Sequence, residues 1–242
     1  MKILLVEPYN TGSHASWAKG YAQHSQHHID ILSLPGRFWK WRMHGGAVTL
    51  ARKFLESAST PDLILATDML DLTTFLALTR QKTANLPSAI YFHENQLTYP
   101  WSPTDRDVAQ KRNKHYGFIN YTSALVADVA LFNSVYHQES FLDALPQLLR
   151  HFPDYNELKS VEQIREKSQV LALGLDLQRF DEYLDNHRYV RTGSAFATDL
   201  SSIGRCPGRF ARSGIGGLCD NVVLSVGRFD AKGGHCDGRH VL

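Results

Sequence analysis

The chain contains 242 residues, of which 43% are hydrophobic and 21% are charged, and its formal net charge is +2. This is the composition of an ordinary globular protein, so it excludes wholesale disorder, a collagen-like chain and a coiled coil. No apolar run approaches the roughly 20 residues that a membrane helix needs. The apolar start of the chain meets Glu7 too early for a secretory signal. We therefore expect a cytoplasmic protein that does not associate with membranes.

Short apolar runs alternate with amphipathic stretches over the first 175 residues. In chain order, strands are predicted at residues 2–7, 29–34, 62–66, 88–92, 129–132 and 170–173. Helices are predicted from residue 13 or 14 and at residues 47–58, 70–78, 107–127 and 135–145. Strands separated by such helices form right-handed crossover units. We therefore expect an α/β, Rossmann-like fold with a buried parallel sheet.

The character of the sequence changes near residue 187. All four Trp lie in the first 101 positions, whereas all three Cys and ten of the seventeen Gly lie from Arg188 onward. The Cys spacing fits no paired zinc site, and an odd number of Cys argues against a disulfide framework. We expect residues 1–175 to form one domain, residues 176–242 to be largely irregular, and no metal to be bound.

The turn after the first strand is a candidate ligand site, because ligands bind beyond the carboxyl ends of parallel strands. Gly12, Ser13 and His14 lie there at the start of a predicted helix. Backbone N–H groups and the helix dipole at such a position favour an anion or sugar hydroxyls. The turn lacks the Gly-x-Gly-x-x-Gly dinucleotide fingerprint. For the turn taken alone, an ordinary strand–helix connection with a glycine and a serine cap is the simpler interpretation.

Four consecutive hydrogen-bonding side chains, His93, Glu94, Asn95 and Gln96, follow the fourth predicted strand. Carboxylate, amide and imidazole groups are the ones that recognise sugars. We predict that His93 contacts the reacting sugar and that Glu94 orients or deprotonates an acceptor hydroxyl, which makes these two the candidate catalytic residues. Asn95 and Gln96 are candidate substrate contacts. A solvated loop is the alternative.

Asn133 and Ser134 end the fifth predicted strand and precede a predicted helix. Capping of that helix is the simpler role for this pair. Because the cap faces the same crevice as the other loops, both residues are also candidate substrate contacts.

Two basic stretches are candidates for contact with RNA. The first alternates cations and aromatic rings and includes Trp39, Trp41 and Arg42, and the second contains Lys111 and Arg112. Such residues can stack on bases and neutralise phosphates. Packing tryptophans and a solvated helix face are the alternatives, since a net charge of +2 does not establish nucleic-acid binding.

Taken together, several motifs resemble one family, the queuosine-tRNA mannosyltransferases, which are glycosyltransferases of GT-B architecture. The similar segments lie in about residues 1–180, and the block at residues 91–100 is the most specific of them. The others are residues 3–7 with 12–14, 34–35 with 39–42, 125–128 with 132–134, 139–141 and 173–177.

This resemblance implies retaining transfer of mannose from GDP-mannose to the cyclopentene-diol of queuosine in tRNA, with no cofactor. In GT-B enzymes the N-terminal domain mainly holds the acceptor and the second domain holds the nucleotide sugar. The resemblance places His93 near the transferred sugar and Gly12 and Ser13 near the phosphates or the sugar. It also implies that Glu94 and Asn133 are polar contacts of the site and that both basic stretches face the tRNA.

The sequence departs from the family after about residue 176. A second Rossmann-like domain takes about 100–200 residues, which is more than follow, and Tyr189 stands where the family has a tryptophan. We therefore expect residues 176–242 to be a truncated or aberrant remnant of the second domain, without the groups that hold the donor phosphates. Two alternatives stay open: a non-catalytic tRNA- or nucleotide-binding remnant, and a GT-B glycosyltransferase with another acceptor.

Overall fold

A computed structural model describes residues 1–110 and 114–174 of the chain. Six strands lie in this part: β1 (Lys2–Asn10), β2 (His28–Pro35), β3 (Leu63–Thr67), β4 (Ser88–Phe92), β5 (Val129–Phe132) and β6 (Ser168–Val170). The helices of the same part are α1 (Gly12–His24), α2 (Trp39–Glu56), α3 (Leu72–Thr83), α4 (Arg106–Ala109), α5 (Lys114–Val126), α6 (Val135–Leu149) and α7 (Ser160–Glu166). Met1–Leu173 forms one compact unit.

The six strands form one sheet in the order β2-β1-β3-β4-β5-β6, and each neighbouring pair is parallel. This confirms the α/β, Rossmann-like parallel sheet. From β1 the chain passes to β2 on one side and then returns to β3 on the other side. The order of the strands therefore reverses between β1 and β3, and at such a switch point the connections diverge and leave a crevice beyond the strand ends.

The core lies on both faces of the central strands. Every residue of β3 and β4 is buried, whereas β2 at the edge of the sheet is only partly covered. Phe92 of β4 and Phe132 of β5 stack with ring centroids 4.9 Å apart, and Phe141 of α6 packs against both. Continuous apolar strands of this kind are buried because helices cover both faces of a parallel sheet.

Several elements of the structure differ from the predicted ones. The helix predicted at residues 107–127 is two helices, α4 and α5, and α2 begins at Trp39, well before residue 47. Glycine has a low helix propensity, so Gly45 and Gly46 argue against a helix in this part of the sequence. In the structure both are buried residues of α2. Helix α7 was not predicted, and β6 begins two residues before the start of the predicted strand. The prediction for residues 176–242 falls outside the described residues.

None of the described helices is both long enough and apolar enough to cross a bilayer.

Replacing Ile64 with alanine tests the central position of β3. Ile64 is 0% exposed, whereas Ile31 of the edge strand β2 is 37% exposed. We expect Ile64→Ala to lower the free energy of unfolding by about 2–5 kcal/mol, because it opens a cavity in the core. The matched variant Ile31→Ala should cost roughly 1 kcal/mol or less. Urea unfolding followed by circular dichroism measures both, and equal losses would contradict this arrangement of the strands.

Candidate functional site

Five polar side chains lie at the carboxyl edge of the sheet around the switch point, and we call them the switch-point cluster: Glu7, His14, Asp68, His93 and Glu94. Glu7 comes from β1, and His14 from the first turn of α1. Asp68 follows β3, and the two remaining residues follow β4. The parallel sheet thus brings together side chains that are far apart in the sequence.

Glu7 and His14 form a buried ion pair. His14 Nδ1 donates to Glu7 Oε2 at 2.9 Å, and the Tyr9 N–H donates to Glu7 Oε1 at 2.7 Å. The register of β1 against β2 shifts after Glu7, and the carboxylate accepts from an N–H in the shifted segment. Burial lowers the pKa of His14, but the hydrogen bond to Glu7 and the charges of Asp68, Glu7 and Glu94 outweigh it and raise the pKa to about 9. His14 is therefore a buried cation at neutral pH.

His93 is held on both sides of its backbone. Its N–H donates to Asp68 Oδ1 at 2.9 Å, and its carbonyl accepts from Asn133 Nδ2 at 2.8 Å. The ring lies 4.3 Å from that of His14 and 4.7 Å from that of Trp17, centroid to centroid. Burial and the neighbouring charge of His14 lower the pKa of His93 to about 3. The imidazole is therefore neutral, and its buried Nε2 has no hydrogen-bond partner.

Asp68 and Glu94 supply two further carboxyl groups. Asp68 is 0% exposed, and its Oδ2 has no hydrogen-bond partner. Burial raises the pKa of Asp68 to about 8, although His14 opposes the shift. Burial also raises the pKa of the half-buried Glu94. Burial therefore favours the protonated form of both groups relative to an exposed carboxyl group.

The segment after β4 is an ordered turn rather than a solvated loop. Asn95 Oδ1 accepts from the N–H groups of Leu97 and Thr98, and the Gln96 N–H donates to Asn120 Oδ1. Asn95 and Gln96 are both buried. Their contacts give them a structural role that holds His93 and Glu94 in place, and ligand contact by them stays a prediction.

The start of α1 is open. Gly12 has φ +52°, a left-handed conformation that favours glycine, and a Cβ there would meet no atom within 4 Å. The N-cap residue is Thr11, whose side chain makes no capping hydrogen bond, so the predicted serine cap is wrong. Gly12 and Ser13 are exposed, and His14 is buried beneath them. A free helix N-terminus beside a cationic His14 suits a negatively charged or hydroxyl-rich group.

Asn133 and Ser134 have distinct roles. Ser134 Oγ accepts from the His137 N–H at 3.2 Å and caps α6, which is the simpler of the two roles proposed from the sequence. Asn133 binds the His93 carbonyl, and its Oδ1 accepts from His137 Nδ1 at 3.1 Å. Asn133 thereby ties the end of β5 to the end of β4.

The first basic stretch divides into packed and exposed residues. Trp39 packs against Trp101 and Tyr116, with ring centroids 5.6 and 5.1 Å away. Trp41 is 62% exposed, and its indole occupies the space that a Cβ on Gly45 would need. The indole is therefore held against α2 with much of its surface open to solvent.

The cations near Trp41 are partly neutralised. Lys40 Nζ pairs with Asp105 and Asp107, at 2.6 Å in each case. Arg42 Nε donates to the Pro35 carbonyl at 3.1 Å. Lys111 and Arg112 of the second basic stretch lie outside the described residues.

A metal ion could be held by Glu7, His14 and His93, whose ligand atoms lie within 4.8 Å of one another. Imidazole nitrogens with a carboxylate oxygen form a donor set that suits zinc. However, Glu7 and His14 already satisfy each other, so a metal would have to displace the proton that they share.

Sequence reasoning missed Glu7, and it placed Asp68 in a loop at the ligand edge of the sheet without giving it a role. Glu7 follows an apolar run directly, and Asp68 comes directly after a buried strand. A carboxyl group at the carboxyl end of an inner parallel strand was the available signal for both. Their meaning depends on the strand order, because β1 and β3 are neighbours only in the folded sheet.

The parallel sheet, with a polar cluster at its switch point, defines an α/β, Rossmann-like domain. The family model described as "tRNA-queuosine alpha-mannosyltransferase N-terminal" matches residues 2–175. A tRNA-queuosine alpha-mannosyltransferase of Drosophila melanogaster is 35% identical over 179 residues, which cover 74% of this chain and 46% of that relative. The chain therefore belongs to the tRNA-queuosine alpha-mannosyltransferase family, as its motifs indicate. It spans about half the length of the curated relative that it matches.

Replacing Glu7 with glutamine tests the charge of His14. Because the pKa of His14 is raised from 6.5 to about 9, the folded protein keeps a proton that the unfolded chain releases above its own pKa. This stabilising contribution is complete below pH 6.5 and is lost as the pH rises through about 9. Glu7→Gln should remove most of it, on the order of 3 kcal/mol.

Urea unfolding at about pH 6 and about pH 10 measures this loss of stability. The exposed carboxylate Glu139 on α6 supplies the matched control, and Glu139→Gln should keep the pH dependence of the unchanged chain. An identical pH dependence in Glu7→Gln and the unchanged chain would show that His14 is not protonated by this pair.

Proposed function

We propose that the chain is the acceptor-side domain of a GT-B glycosyltransferase that transfers mannose from GDP-mannose to queuosine in tRNA. Membership of the family supports the reaction. The observation that supports a role for this site is the switch-point cluster. In it, the ring of a cationic His14 packs against the ring of a neutral His93 at the carboxyl edge of the sheet. This is the edge at which such sheets bind ligands.

The cluster suits a sugar transfer because its members offer different chemistry. The neutral His93 has a free Nε2 that can hydrogen-bond a hydroxyl of the transferred sugar. His14 and the open start of α1 offer positive charge to the diphosphate that departs. Glu94 accepts a hydrogen bond from the acceptor hydroxyl and orients it.

The reaction proposed is front-face attack with retention at the anomeric carbon. The bond from the anomeric carbon to the diphosphate oxygen breaks, and a bond to the queuosine hydroxyl oxygen forms on the same face. The hydroxyl proton passes to the departing diphosphate oxygen. Stabilisation of that leaving group by preorganised positive charge lowers the barrier, and no covalent enzyme intermediate is formed.

Replacing His93 with alanine tests the role of the cluster in transfer. The 242-residue chain is incubated with GDP-mannose and queuosine-containing tRNA, and mannosylated nucleoside is measured by mass spectrometry. We expect His93→Ala to lower the rate by at least about tenfold, because a hydrogen bond to the sugar is lost. His151→Ala, at an exposed position outside the cluster, should keep the rate of the unchanged chain.

Other outcomes of this assay point to the alternatives. Tight binding of tRNA with neither donor binding nor product would indicate a non-catalytic remnant. Product that forms only with lipid or small-sugar acceptors would indicate a glycosyltransferase with another acceptor. Unchanged transfer in His93→Ala would remove the switch-point cluster from the reaction.

Replacing Trp41 with alanine tests the proposed tRNA surface around Trp41 and Arg42. An exposed, immobilised indole beside a cation can stack on an unpaired base, which is worth about 1–3 kcal/mol. Trp41→Ala should therefore weaken tRNA binding by about fivefold or more in a filter-binding assay. Tyr136 on α6 is 82% exposed, and Tyr136→Ala serves as the matched control. Equal affinities for the two variants would place the tRNA elsewhere.

A further inference from the structure

The switch-point cluster contains more carboxyl groups than cations. Glu7, Asp68 and Glu94 are carboxyl groups, and His14 is the one cation that the cluster itself supplies, since His93 is neutral. The Glu7–His14 pair balances one charge of each sign at 2.9 Å. Asp68 and Glu94 are left without a balancing cation in the cluster.

No ion pair within the described residues compensates Asp68 or Glu94. Asp68 is fully buried, and its Oδ2 has no hydrogen-bond partner. The nearest polar contact of Glu94 is a weak one, from Gln96 Nε2 to Oε1 at 3.5 Å. Burial raises the pKa of both carboxyl groups, which is the response expected of acids that lack a cation. A positively charged ligand group would complete this part of the site.

The same edge offers hydrogen bonds to hydroxyl groups. His93 Nε2 is a buried atom without a hydrogen-bond partner, and His93 directly precedes Glu94. A buried polar atom without a partner costs free energy unless a ligand or water satisfies it. The cluster therefore suits a ligand that carries a cation and hydroxyls close together.

We propose that the carboxylate of Glu94, backed by the buried Asp68, binds the protonated amine of the acceptor. This inference rests on the proposed function, because queuosine carries its cyclopentene-diol on a secondary amine and so has a positive charge next to its hydroxyls. The buried Asp68 accepts a hydrogen bond from the His93 N–H and so fixes the backbone next to Glu94, while the second oxygen of Glu94 keeps its hydrogen bond to the acceptor hydroxyl beside the amine.

A cationic ligand group fits this end of the cluster better than a diphosphate does. The carboxylate of Glu94 would repel the negative charge of a diphosphate, which fits better at the open start of α1 beside His14. A metal ion also fits less well, because Glu7, one of the three residues that could hold it, is already engaged by His14 and by the Tyr9 N–H.

Nucleoside binding to the 242-residue chain tests the inference without any transfer step. Isothermal titration compares queuosine, 7-aminomethyl-7-deazaguanosine, which has the basic amine but no cyclopentene-diol, and guanosine, which has neither the basic amine nor the cyclopentene-diol. We expect the amine to tighten binding by about tenfold or more over guanosine, as a charge-assisted hydrogen bond does. Glu94→Gln should lose this gain, Glu94→Asp should keep part of it, and the exposed control Glu166→Gln should keep all of it.

The inference is overturned if the amine gives no gain over guanosine in the unchanged chain, a comparison that needs no variant to fold. It is also overturned if Glu94→Gln keeps the gain, or if a chelator abolishes binding and zinc restores it, since the cation would then be a metal. Mannosyl transfer without any preference for the amine would contradict this inference alone. A preference for the amine without transfer would contradict only the proposed activity.

Discussion

The buried pair of Glu7 and His14 is the interaction on which the rest of the site depends. A carboxylate with 0% exposure at the end of an inner strand is costly unless a charged partner satisfies it. His14 is that partner, and its position in the first turn of α1 fixes how the helix leaves β1. One hydrogen bond therefore joins the end of β1 to the start of α1 and keeps a positive charge at the switch point.

That charge determines the states of the neighbouring groups. Together with burial, the cation on His14 keeps His93 neutral, and it limits the rise in the pKa of Asp68. The site consequently has two ends of different character, one cationic at the start of α1 and one acidic at Glu94. In the proposed transfer, the positive charge at the start of α1 stabilises the diphosphate, and the carboxylate of Glu94 binds the amine beside the acceptor hydroxyl. The proposed orientation of donor and acceptor follows from the different charges of these two ends.

Much of the fold can be predicted from the sequence because buried parallel strands are continuous apolar runs, as residues 88–92 illustrate. The strand order cannot be predicted in this way, since it depends on packing between distant segments. Asp68 joins the cluster because β3 lies beside β1 in the folded sheet. The sequence could place His93 and Glu94 at the carboxyl edge of the sheet because they directly follow a strand. Trp39 is a case in which composition misleads. Its place in a stretch of cations and aromatic rings suggests contact with RNA, whereas in the structure its ring packs against Tyr116 and is partly buried.

The segment after β4 also shows where specificity can vary. The backbone of His93 is bound on both sides, by Asp68 and Asn133, and its ring lies against His14 and Trp17. A group held this firmly is preorganised, so it loses little entropy when a ligand binds. Glu94 lies on the same turn, and within the described residues its side chain makes one long hydrogen bond, with Gln96. If Glu94 binds the acceptor amine as proposed, a substitution at this position is expected to change which acceptor is recognised while the two histidines keep their contacts.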